Sequence, residues 1–120
     1  MIAVLFRWEI KPGYEQVFQE CWSEIMHLNI EKHGALGSRL HKTKDNQWIS
    51  YSQWLSEDHF KNGFEAFNAS DDTEPHNKHE KARMKMHLAI SRYYEPIIMV
   101  PVLDHLMATE QDQTLGHLLP

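Results

Sequence analysis

From Ile2 to Ile10 the chain alternates: Ile2, Val4, Phe6, Trp8 and Ile10 fall on one side, and Ala3, Leu5, Arg7 and Glu9 on the other. A period of two is what a strand shows when one of its faces is the more deeply buried. Lys11-Pro12-Gly13 breaks the pattern, and from Tyr14 the period changes. Val17, Phe18, Cys21, Trp22, Ile25, Met26 and Leu28 then recur every three or four residues, which predicts one apolar stripe of a helix. The helix is predicted to stop near His33, with Gly34 as a left-handed terminator. Two β-like runs follow, about Ala35 to Lys42 and Trp48 to Leu55, and flank the polar cluster Lys44-Asp45-Asn46. They predict a hairpin at the centre of a sheet, with Trp48 and Trp54 on one side and Ile49, Tyr51 and Gln53 on the other.

Ser56-Glu57-Asp58 is a helix start, because a serine caps an orphan amide and carboxylates in the first turn oppose the helix dipole. Phe60, Phe64 and Phe67 give this second helix one apolar stripe, and it should end near Asn68. The polar stretch to Glu74 reads as a surface loop, and a further helix is predicted from about Pro75 to Ile90. That helix carries His76, His79, Ala82, Arg83, Met86 and Ile90 along one side and turns Lys78, Lys81 and Lys85 to water. A fourth strand is predicted over Arg92 to Val100, with Pro96 placing it at an edge or a bulge. From Pro101 the chain either extends that strand or starts a short helix, and Gln111 to Pro120 reads as a loose tail. The expected organisation is a domain over residues 1–100 and a C-terminal extension over 101–120.

The order β, α, β, β, α in two pieces, β is the ferredoxin-like split βαβ arrangement: an α+β fold with helices on one face of a four-stranded antiparallel sheet. Ala3, Leu5, Ile49, Tyr51 and Ile97 would lie on the other face, too apolar to stay wet over such an area. A second copy of the chain is the simplest cover, so a homodimer is expected. Arg7 and Glu9 share that face and are expected to pair across the dimer.

A chain of 120 residues with 42% apolar and 24% charged residues is the size and composition of one folded globular domain. The formal net charge of -5 and the absence of a basic run argue against nucleic acid as a partner. The apolar start is cut by Arg7 and Glu9, too short for a membrane span and without the order of a signal peptide, so a cytoplasmic protein is expected. Cys21 is the single cysteine and sits in the helical stripe, which makes it a core residue rather than a nucleophile.

The strand ending in Ile10-Lys11-Pro12-Gly13, the aromatic helix around Phe18 and Trp22, Gly34-Ala35-Leu36-Gly37, and Gln53-Trp54-Leu55-Ser56 leading to Phe60 carry a family likeness. On these residues the chain resembles the antibiotic biosynthesis monooxygenase family of the dimeric α+β barrel superfamily, over about residues 1–100. The resemblance implies a homodimer that oxidises aromatic or polyketide-derived small molecules without metal or flavin, or one that degrades haem. The haem-degrading branch carries an asparagine in strand one, where this chain has Phe6, and a tryptophan in the helix after strand three, where it has Phe64 or Phe67. Only that branch's histidine has counterparts, His76 or His79, so haem degradation is not expected.

Nine histidines raise the question of a metal, and His76 and His79 stand three apart beside Glu80. The pair matches no zinc signature, and the other seven, His87 among them, have no recognisable spacing, so neither metal nor cofactor is expected. An oxygenase without a cofactor needs a substrate that becomes a phenolate or enolate in a dry pocket, held by apolar walls and one or two groups that move a proton. Phe6, Trp8, Trp22, Trp54, Phe64 and Phe67 are the expected walls. His79 or His76 is the expected base, and Arg39 or Tyr94 the group for an oxyanion. The same aromatic stripes also serve as plain core, which leaves a second reading: a non-catalytic dimeric small-molecule-binding or stress-response module of the same fold.

Overall fold

The computed structural model describes residues 1–68 and 78–105, with side chains described everywhere in these ranges except at positions 67, 68, 78 and 79. The elements are β1 (Ile2–Ile10), α1 (Glu15–Lys32), β2 (Ala35–Lys42), β3 (Gln47–Trp54), α2 (Glu57–Asn68), α3 (Lys78–Ala89), β4 (Ile90–Tyr93) and β5 (Ile97–Met99). The sheet is antiparallel in the order β2-β3-β1-β4, with β5 also paired to β1. This is the ferredoxin-like α+β arrangement read from the pattern. The expected loop from Asn68 to Glu74, the helix start at Pro75, His76 and the tail from Gln111 lie at least in part outside the described residues.

One strand differs from expectation. The run from Arg92 to Val100 is two short strands rather than one, with β4 on the C-terminal half of β1 and β5 on its N-terminal half. Pro96 has no N–H to donate to the ladder, and the chain leaves the sheet around it. The edge of the sheet is therefore shared, which makes five strands among the described residues.

Two local breaks in register decide which side chains face the helices. In β2, Ala35 lies opposite Trp54 and Gly37 opposite Gln53, so Leu36 is an extra residue and the alternation resets after it. In β4, Ile90 lies opposite Ile10 while Arg92 lies opposite Glu9, so Ser91 is the extra residue there. A bulge of one residue exchanges the two faces for everything beyond it.

The core lies on the helix side in two clusters. Trp8, Phe18, Cys21, Ile25, Trp48, Ala82, Met86 and Ala89 form one, where α1 and α3 meet the sheet. Ile2, Val4, Ala35, Trp54 and Phe60 form the other, under α2. Phe6 packs against both: its ring stacks on Trp8 at 5.5 Å and meets Phe60 edge-on at 6.0 Å. Such aromatic pairs each add roughly 0.5–1.5 kcal/mol beyond area burial.

Two of the predicted helix signals, Ser56 and Gly34, operate as read. Ser56 Oγ accepts a hydrogen bond from the His59 N–H at 3.1 Å, capping α2. Gly34 follows the end of α1 with φ +79, and its carbonyl accepts from the Leu55 N–H at 3.0 Å, tying the helix exit to β3. A Cβ on Gly34 would stand 2.5 Å from His59 Cδ2. Gly34→Ala is therefore expected to destabilise the fold by at least about 1–2 kcal/mol in urea denaturation. Gly37→Ala, where a Cβ meets nothing within 4 Å, is the comparison and should cost much less.

Candidate functional site

Between the sheet and the helices lies a cavity of about 240 Å³. Its floor is Phe6 and Trp8 from β1 with Ser50 and Trp54 from β3. The floor has room because β3 turns Trp48, Ser50, Ser52 and Trp54 inward, with two small serines between two large rings. The walls are Trp22, Ile25, Met26 and Asn29 of α1, and Phe60, Gly63 and Phe64 of α2. Gly63 lets α2 lie against the floor, since a Cβ there would come within 3.2 Å of Trp54 Cζ3. Met86, His87, Ile90 and Tyr93 close the remaining side, and the exposed His87 and Tyr93 mark its mouth.

The serines are held by a defined set of bonds. Ser52 Oγ donates to the Val4 carbonyl at 3.3 Å and accepts from Trp54 Nε1 at 3.0 Å. Ser38 Oγ donates its single proton to the Tyr51 carbonyl at 3.1 Å. The contact of 3.1 Å between Ser38 Oγ and Ser50 Oγ therefore has Ser50 as donor, which leaves the Ser50 oxygen with lone pairs only.

Asn29 is the other deep polar group. It continues the buried stripe of Phe18, Cys21 and Ile25 along α1 and is only 8% exposed. Its Nδ2 donates to Met26 Sδ at 3.7 Å, and its Oδ1 has no hydrogen-bond partner among the described residues. A buried amide oxygen left in this state costs about 1–3 kcal/mol. The interruption of an apolar stripe by an asparagine is the sequence signal that points to it.

The sequence-predicted residues divide sharply. Phe6, Trp8, Trp22, Trp54 and Phe64 all line the cavity. Arg39 and Tyr94 do not: Arg39 lies opposite Tyr51 and Tyr94 opposite Arg7, on the far face of the sheet. Tyr94 Oη donates to Glu9 Oε2 at 2.6 Å, Arg7 stacks on the Tyr94 ring at 4.5 Å, and Arg92 stands 3.9 Å from Glu9. Arg7 and Glu9, expected to pair across a dimer, are thus engaged within their own chain. Tyr93 takes the place at the cavity that the sequence reading gave to Tyr94. His76 lies outside the described residues, as do the side chains of His79 and Phe67. Among the described residues, the histidine at the cavity is His87, which sequence spacing passed over.

Burial, with Arg83 adding to it, pushes the His87 pKa below the ordinary imidazole value. Its ring is therefore neutral at pH 7 and able to accept a proton. Burial, with Glu95 adding to it, pushes the Tyr93 pKa up, so that hydroxyl stays protonated. Among the described residues, no lysine, arginine, aspartate or glutamate lines the cavity. Among the described residues, no three histidine, cysteine, aspartate or glutamate side chains gather where a metal ion could be held, and no helix is long and apolar enough to cross a membrane.

The sequence matches the antibiotic biosynthesis monooxygenase family over residues 1–79, from β1 through α2 and into α3. The chain belongs to that family. Solved structures share its fold. Rv0793 from Mycobacterium tuberculosis superposes with a TM-score of 0.65 at 11% identity, over 88% of this chain and 98% of that one. SnoaB from Streptomyces nogalater, a cofactor-independent oxygenase, gives 0.65 at 9% identity, over 87% of this chain and 95% of its own. A conserved protein from Methanosarcina mazei Go1 gives 0.61 at 12% identity, over 81% and 88%. No curated protein matches the sequence. His87 and Tyr93 lie beyond the segment matched to the family, so the mouth of the cavity is described by this chain's own geometry.

His87 also makes stability depend on pH. With its pKa lowered in the folded state, the unfolded chain binds the proton more readily, so stability falls as pH drops from about 6.5 toward the folded value. His87→Gln is expected to lose less melting temperature than the wild type between pH 7 and pH 5. Identical losses in the two proteins would contradict this.

Proposed function

We propose that this member of the monooxygenase family binds a small aromatic or quinone-like molecule in the cavity and oxygenates it without a cofactor. The observation that carries the reading is a cavity walled mainly by apolar side chains with a neutral histidine at its mouth. At about 240 Å³ the cavity exceeds the roughly 150 Å³ that accommodates benzene, which suits a small fused-ring aromatic and falls far short of a haem. His87 takes a proton from the activated CH or OH of the substrate, and the resulting carbanion or enolate gives electrons to dioxygen. For a ring CH₂ the balance is one C=O and one water from one O₂, with the proton held by His87 returned to the departing oxygen. The apolar walls keep bulk water from quenching the carbanion. Oxygen uptake with anthrone and hydroquinone substrates tests this. Turnover in the wild type that falls by about 100-fold or more in His87→Gln is expected. Binding without oxygen uptake would favour the non-catalytic binding module instead. His79 and His76 remain the bases that the resemblance offers, and an unchanged rate in His87→Gln with loss in His79→Gln would move the role there.

In the same reading the protein works as a cytoplasmic homodimer. Leu5, Ile49, Tyr51 and the exposed Ile97 share the sheet face away from the helices, and a second copy covers it. Light scattering after size exclusion is expected to give twice the chain mass for the wild type and the chain mass for Leu5→Lys, which puts a charge at the centre of that face. A wild-type monomer at micromolar concentration would overturn the dimer.

A further inference from the structure

We propose that Trp22 limits the length of the molecule the cavity accepts, because its indole stands between the cavity and a cationic groove that extends the site once the indole is removed. The inference rests on the reading that the cavity is the ligand site. The groove, about 680 Å³, runs between α1 and β2 at the edge of the sheet. On α1 it is bordered by Glu15, Gln19, Trp22 and Ser23, spaced as one face of a helix, whereas the cavity is bordered by Trp22, Ile25, Met26 and Asn29. The two faces meet at Trp22, which alone among the described residues borders both spaces. On the sheet side Ser38 borders the groove and Ser50 the cavity, and their hydroxyls lie 3.1 Å apart. One indole and one pair of serines separate the two spaces.

The other three tryptophans are tied into the core. Trp8, Trp48 and Trp54 are buried, each ring is paired with a phenylalanine, and Trp54 also donates to Ser52. Trp22 is half-buried and, among the described residues, has neither a ring pair nor a hydrogen bond. Its bulk therefore matters more to the boundary of the cavity than to the cohesion of the fold. The groove also differs from the cavity in charge. Arg39 and Lys42 border it with one carboxylate, that of Glu15, and neither cation is in an ion pair among the described residues. A molecule too long for the cavity finds room beyond Trp22 and cations for an anionic end.

The test compares 2-naphthol with anthracene-2-carboxylate, which is one ring longer and ends in an anion, by isothermal titration calorimetry at pH 7. The wild type is expected to bind 2-naphthol at least about tenfold more tightly than the longer probe. Trp22→Ala is expected to bind the longer probe at least about tenfold more tightly than the wild type does, and 2-naphthol within about fivefold of the wild type. Adding Arg39→Gln to Trp22→Ala is expected to weaken the longer probe by about threefold and to leave 2-naphthol unchanged. Trp22→Ala is expected to melt above Trp54→Ala, and Trp22→Leu gives the same binding comparison should the alanine variant fail to fold. If the wild type binds both probes equally, or if neither Trp22 variant gains affinity for the longer one, the role of Trp22 is overturned and the cavity remains the ligand site. A gain that Arg39→Gln does not diminish overturns the groove as the extension of the site. If 2-naphthol does not bind the wild type, the cavity reading falls and this inference falls with it.

Discussion

The structure depends on how β3 fills the space under the helices. Of its four inward positions, the outer two are tryptophans and the inner two are serines, all of them buried. Leucine or isoleucine at Ser50 and Ser52 would close the space as an ordinary core does. Buried hydroxyls are tolerable only when their protons are placed, and here each one is: Ser52 between the Trp54 indole and the Val4 carbonyl, Ser50 on Ser38. The serines hold the strands together by their bonds, and Ser50, by its size, leaves a hollow beside Trp54, Phe6 and Trp8.

Everything at the site is arranged about that hollow. Phe6 pairs with Ser50 across β1 and β3, and its ring lies over the small residue to join the two core clusters. Gly63 brings α2 down onto Trp54 from one side, while α1 and α3 pack together on the other. At the mouth of the hollow stands His87, whose ring is neutral at pH 7 because partial burial beside Arg83 disfavours its charge. The opposite face of the same sheet is organised differently, with Tyr94 gathering Glu9, Arg7 and Arg92 around its ring and hydroxyl. One strand, β1, thus divides its alternate residues between the cavity face and an outer face.

Regular periodicity made the elements legible, and departures from it hid parts of the site. Strand β1, helix α1 and the hairpin follow unbroken periods of two or 3.6 residues, and the aromatic lining from Phe6, Trp8, Trp22, Trp54 and Phe64 could be read from them. Arg39 and Tyr94, named as candidates for an oxyanion, both lie beyond a one-residue bulge, where the extra residues Leu36 and Ser91 turn them to the outer face. A bulge has no strong local signature, so parity beyond it is fixed only by pairing with the neighbouring strand. His87 was hidden differently: it is one of nine histidines, and only the packing of α3 against α1 brings it to the cavity mouth. Asn29 was visible in principle, since it stands where the stripe of Phe18, Cys21 and Ile25 calls for an apolar residue.

The central claim is that the hollow over Ser50 is where this protein meets its ligand. A crystal structure of the protein grown with 2-naphthol tests it most directly. The naphthalene ring is expected between Phe6, Trp54 and Phe64. A ring bound elsewhere on the surface, with the hollow filled by its own side chains, would contradict it.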